Sequence, residues 1–200
     1  DVGKAVSTVL PEHVAAGTHS PDLLLTARGH DMTGGPIAES FMKSIKAGKK
    51  TTKLVRTIVE QHMQGFNLRQ GKAKKAAYTR LQNRMAAGGG DLHLLAHQCM
   101  CDACATSRDW RTRSLATGTP NWEHETSQRM LSMYRDILAD GAKAKPMVQG
   151  RDLIALGLKP GKQFGILTKK AYDLQLDLGL TTVEDIVDAL KKEMPDYFPQ

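Results

Sequence analysis

Apolar residues in this chain recur three and four positions apart, in one segment after another, and glycines stand where the runs stop. Ile37, Phe41, Met42 and Ile45 form such a run between Pro36 and Lys46, with Gly48 beyond it. Leu54, Val55, Ile58 and Val59 form the next, ending near His62. That spacing places the apolar side chains on one stripe of an α-helix, whereas a half-buried strand would alternate every second residue. Aromatic residues make up only 5% of the 200 residues, and helix formers such as Ala, Leu, Lys and Gln are plentiful, so the expected fold class is all-α with almost no sheet.

Residues Asp1 to His30 hold Pro11, Gly17, Pro21 and Gly29 with little periodicity, which predicts a short helical start and a long connecting loop. A basic helix is expected from Lys72 to Ala87 around Ala76, Tyr78, Leu81 and Met85, closed by Gly88, Gly89 and Gly90. Asp91 stands at the N-cap position of a buried helix carrying Leu92, Leu94, Leu95 and Cys99 to about Arg108. Trp110 to Asn121 is turn-rich, and Met130, Leu131, Tyr134, Ile137 and Leu138 share a face of a helix from about Trp122 to Asp140. Gly141 to Gly150 reads as a linker, so the expected domains are a helical bundle over 1–140 and a small helical tail over 141–200.

Lys and Arg outnumber Asp and Glu by 28 to 21, a net charge of +7 that favours polyanionic partners. No stretch is long and apolar enough to span a membrane, and the start lacks the pattern of a secretory leader. Cys99, Cys101 and Cys104 crowd into one helical segment, which fits a reducing cytoplasm and a core role better than disulfides. His93 and His97 are near them, but donors on one straight helix cannot surround a tetrahedral zinc ion.

Asp1, His30, His62 and Asp102 are each expected on or beside a different helix, and their nitrogen and oxygen donors would suit a divalent cation in a helical bundle. The residues alone favour a plainer reading, in which His30 caps a helix or lies at the surface, His62 faces solvent, and Asp102 makes a buried hydrogen bond. In the tail, Gly150-Arg151-Asp152-Leu153-Ile154-Ala155-Leu156-Gly157 reads as a short helix followed by a Pro160-Gly161 turn and a second helix. Helix-opening amides at Gly161, beside Lys159 and Lys162, suit a sugar-phosphate backbone; an ordinary helical hairpin is the plain alternative.

The tail from Gly150 to Gly165, continuing through Ala171-Tyr172-Asp173-Leu174-Gln175-Leu176, resembles the C-terminal signature of bacterial tRNA nucleotidyltransferases (CCA-adding enzymes) and related poly(A) polymerases. Asp1-Val2-Gly3-Lys4, Gly29-His30-Asp31, Leu54 to His62, and Gly89-Gly90-Asp91-Leu92 through Asp102 are similar in order to the HD domain of that family. The departures are Lys162 where a second Pro is usual, the missing His before Asp1, and the lack of any segment like the nucleotidyltransferase head.

The resemblance implies an HD-like helical domain, a helical tail and a role in holding tRNA or another RNA for a head supplied elsewhere. CCA addition by these residues alone is not expected. Lys72, Lys74, Lys75, Arg80, Arg84, Lys159, Gly161, Lys162, Lys169 and Lys170 are the expected RNA contacts. An HD-type phosphohydrolase, with Mg, Mn or Ni held weakly or not at all on Asp1, His30, His62 and Asp102, is the second expectation. A helical interaction protein without nucleic acid is the third.

Overall fold

The computed structural model describes residues 29–106, 124–141 and 145–198. The protein is all-α, with no strand among the described residues. It divides into two compact units after Arg135. Asp1, the rest of the first 28 residues, Arg108, the Trp110 to Asn121 segment and Trp122 lie outside the described residues.

The first unit contains α1 (His30–Ser44), α2 (Lys49–Gln61), α3 (Gln64–Gln70), α4 (Lys75–Gly88) and α5 (Leu92–Thr106). It also holds the larger part of α6 (Glu125–Asp140). Helix α1 begins at His30, six residues before the expected start at Pro36. Gly34 and Gly35 are buried within the helix, where the absence of a side chain lets α2 come close. A Cβ on Gly35 would fall 2.7 Å from Glu60 Cγ. Pro36 is accommodated inside the same helix although it cannot donate to the helical ladder. Helices α1 and α2 pack as a hairpin, so the first residue of α1 meets the residue that follows α2.

Helix α4 opens at Lys75 rather than Lys72, because Lys72 adopts a left-handed backbone at φ 48°. Lys46, ahead of α2, does the same at φ 56°. The two turns are built alike. Lys46 and Ala47 donate their N–H groups to the carbonyls of Lys43 and Met42, and Lys72 and Ala73 donate theirs to Arg69 and Leu68. This double bond pattern ends a helix at a left-handed residue, a place glycine normally takes because a Cβ there costs about 1–2 kcal/mol.

The core of this unit is formed by Tyr78, Leu81 and Met85 from α4, Leu92, Leu95, Ala96, Cys99 and Met100 from α5, and Met130 and Met133 from α6. Asp91 caps α5 by accepting the Leu94 N–H at 2.8 Å. Four residues expected on apolar faces point outward: Phe41, Ile45, Leu94 and Leu138. Of the three cysteines only Cys99 is buried; Cys101 is exposed and Cys104 half-buried, since successive helical positions rotate out of the core.

The tail unit holds α7 (Gly150–Ala155), α8 (Gln163–Leu178) and α9 (Val183–Glu193), followed by a 3₁₀ turn at Pro195–Tyr197. Its core is aliphatic: Val148, Leu153, Leu167, Leu174, Ile186, Val187 and Leu190 pack together with Ala171. The one buried amide, Gln175, is satisfied in both directions. Its Nε2 donates to the Lys145 carbonyl at 2.9 Å and its Oε1 accepts the Met147 N–H at 3.0 Å, fastening the lead-in segment to α8. No helix among the described residues is long and apolar enough to cross a membrane.

Candidate functional site

The α1–α2 hairpin brings His30 and His62 together from 32 residues apart, and both are buried. Their Nε2 atoms are 3.0 Å apart and their ring centroids 5.0 Å. His62 Nδ1 donates to the Val59 carbonyl at 2.7 Å, which fixes the proton on Nδ1 and leaves the Nε2 lone pair directed at His30. Behind this pair, the Cys99 thiol on α5 donates to the His62 carbonyl at 3.3 Å. Burial, reinforced by the Asp102 charge, pushes the Cys99 thiol up to about 12, so it stays protonated and serves as a packing donor rather than a thiolate ligand.

Two nitrogen ligands on adjacent positions of one cation, each about 2.1 Å from it, lie roughly 3–3.4 Å apart. The histidine pair meets that separation, and a ring nitrogen anchored on a backbone carbonyl is the usual second support of a ligating imidazole. The set is short of donors, however. Among the described residues no three His, Cys, Asp or Glu side chains converge, so half-buried Asp102 does not join the pair as a third ligand. Asp1 lies outside the described residues.

His124, which periodicity alone does not single out, is a third buried imidazole in this unit. Ser127 Oγ donates to the Ala96 carbonyl at 2.8 Å, so its proton is already committed. His124 Nδ1, 2.9 Å from that oxygen, must then be the donor to it, and the pair is a structural clasp between α6 and α5 rather than a base activating a nucleophile. Burial, and secondly the Arg69 charge, hold His124 below its ordinary value. The only signal in the sequence was His124-Glu125-Thr126-Ser127 at a helix start, which any capping sequence resembles.

The expected RNA contacts divide in two. In the first unit Lys72, Lys74 and Arg84 are exposed, while Lys75 and Arg80 are half-buried. Arg84 donates to Gln61 Oε1 at 2.8 Å, and partial burial together with its neighbour Arg80 keeps its guanidinium below the ordinary value. In the tail the corner Lys159, Pro160, Gly161 and Lys162 is exposed, as is Lys169, and no acidic residue falls in the first turn of α8. Lys170 is committed to Glu193 at 2.9 Å.

Charge is unevenly shared. Residues 136–200 contain nine Lys and Arg against ten Asp and Glu, so the whole positive excess belongs to the first 135 residues. Compared with protein-family models, curated proteins and solved structures, the chain matches none.

Proposed function

We propose that this chain is an RNA-binding accessory region, in line with its resemblance to the HD domain and tail of the tRNA nucleotidyltransferase family. The observation that carries this reading is the polarity of its helix starts. The N-terminus of a helix carries a partial positive charge, so carboxylates stabilise it and cations oppose it by about 0.3–1 kcal/mol each. Helix α9 follows the rule: the Thr182 hydroxyl accepts the Asp185 N–H, Glu184 and Asp185 occupy the first turn, and Lys191 and Lys192 the last.

Helices α4 and α8 reverse it. Lys72 and Lys74 lead into α4, whose first residue is Lys75, and Lys159 and Lys162 lead into α8; neither helix has a side-chain cap or an acidic first turn. Cations concentrated where helix amides already attract anions favour a phosphate backbone and read no base.

The test is a titration with bulk tRNA at increasing salt. Neutralising each contacted phosphate contributes about 0.9 to the negative log–log slope for duplex regions and 0.7 for single strands. The pairs Lys72→Gln with Lys74→Gln, and Lys159→Gln with Lys162→Gln, should each shallow the slope by one to two, while Lys191→Gln with Lys192→Gln should leave it unchanged. Absence of tRNA binding at low salt would leave a helical interaction protein instead.

A second reading, a metal-dependent phosphohydrolase centre, is favoured by the histidine pair. His30 and His62 would hold the cation through Nε2, and a cation so bound polarises a phosphate ester. Equilibrium dialysis with Mn or Ni, repeated on His62→Ala, tests it: equal uptake by both proteins rules the pair out as ligands.

A further inference from the structure

None of the RNA contacts expected from the sequence lies on the α1–α2 turn. We infer that this turn, carrying Lys46, Lys49, Lys50 and Lys53, is a second phosphate-binding surface of the first unit, one that takes the sugar-phosphate backbone of an RNA strand. The inference rests on the RNA-binding reading and extends it to residues that reading did not use.

Three observations converge on this turn. The first is a groove of about 670 Å³ between α1 and α2, lined by Glu39, Lys43, Lys49, Lys53, Arg56 and Glu60. Its acids are already neutralised: Arg56 bridges Glu39 and Glu60, and Lys43 pairs with Glu39 at 2.6 Å. The Lys43 and Arg56 contacts hold the Glu39 carboxyl below its ordinary range. Among the described residues, Lys46, Lys49, Lys50 and Lys53 have no carboxylate within ion-pairing distance. The groove therefore presents net positive charge.

The second is its continuation. A further hollow of about 390 Å³ shares Lys53 and is walled by Lys50, Gly88 and Gly89, where α4 ends. The lysines thus form a ridge with a depression on each side, which suits a chain passing over them better than a compact anion.

The third is the likeness between this turn and the one before α4. Lys46 and Lys72 both take the left-handed position that glycine would fill at lower cost, and each is followed within four residues by further lysines opening a helix with no acid in its first turn. The shared hollow puts the first turn at the C-terminal end of α4, and the second stands at its N-terminal end. The 14 residues of α4 span about 21 Å at 1.5 Å per residue, too far for one nucleotide to reach from one turn to the other. A polymer meets both.

The experiment compares wild-type full chain with Lys49→Gln/Lys50→Gln/Lys53→Gln, reading anisotropy of bulk tRNA from low to high salt, with helical circular dichroism as the fold control. The slope should shallow by about two to three and affinity at 0.1 M salt should fall on the order of 100-fold. Lysine-to-arginine changes at the same positions should restore both. If the triple variant loses helical signal, Lys49→Gln alone should still cost about one in slope. An unchanged slope in the glutamine variants, with the α4 and α8 variants weakened, overturns this inference and leaves the RNA reading standing. A wild-type chain that fails to bind tRNA removes both. Loss of binding to phosphatidylserine vesicles with tRNA binding intact also overturns it, assigning the ridge to a lipid surface.

Discussion

All seven histidines and all three cysteines fall among residues 1–135 of the sequence, and residues 136–200 contain neither. The tail buries aliphatic side chains around one fully bonded glutamine. The first unit instead buries His30, His62, His124, Thr52, Thr79, Thr126 and Ser127, and leaves Gln98 Oε1 buried without a hydrogen-bond partner. Buried polar groups lower stability unless bonded, and a core that carries many of them is constrained by more than packing. The contrast separates a unit that holds the imidazoles, the thiols and the positive excess from one built by aliphatic packing.

Deleting the tail's packing should give the largest effect. Leu190, fully buried, should cost about 2–5 kcal/mol as Leu190→Ala, read as lost amide-exchange protection in α7, α8 and α9. Equal loss throughout α1 to α5 would break the distinction between the units. Gly88→Ala comes next, in the first unit. Its new Cβ would sit 2.5 Å from the stiff, branched Cβ of Thr57, so α2 and α4 must part, at about 1–3 kcal/mol in a denaturant melt.

The smallest effect should come from pH. His124 binds its proton less readily when folded, so the unfolded chain takes up more protons below about 6.5. First-unit stability should therefore fall as pH drops below that value, while the tail, lacking histidine, should not respond in the same window. His124→Gln should flatten the first unit's profile; a tail equally sensitive between pH 7 and 5.5 would contradict the assignment.

Periodicity reveals the helices of the first unit because one stripe of each is buried, Leu81 and Met85 on α4 and Leu92, Leu95 and Cys99 on α5, whereas α8 shows in the sequence through the Pro160-Gly161 turn ahead of it. It missed the start of α1, since Gly34-Gly35 signals a break locally and close helix packing only in the folded chain. The short α3 has too few turns to show a stripe. His30 and His62 were marked as ligands through the family resemblance, but their 3.0 Å approach depends on the hairpin, which no local spacing encodes. Lys49, Lys50 and Lys53, beyond Gly48, show no pattern in the sequence that separates them from ordinary surface lysines. What groups them is the left-handed backbone at Lys46 and the groove beside them, both properties of the folded chain.

Under the proposed RNA-binding reading, the left-handed lysines at residues 46 and 72 would face two opposed demands. A library at residues 46 and 72 screened for heat tolerance alone should drift toward glycine, which relaxes the backbone there. The same library screened for capture on immobilised tRNA should retain lysine or arginine. Divergence of the two enriched pools would show, without any variant chosen in advance, whether a cation at each bend is kept at the expense of conformational ease.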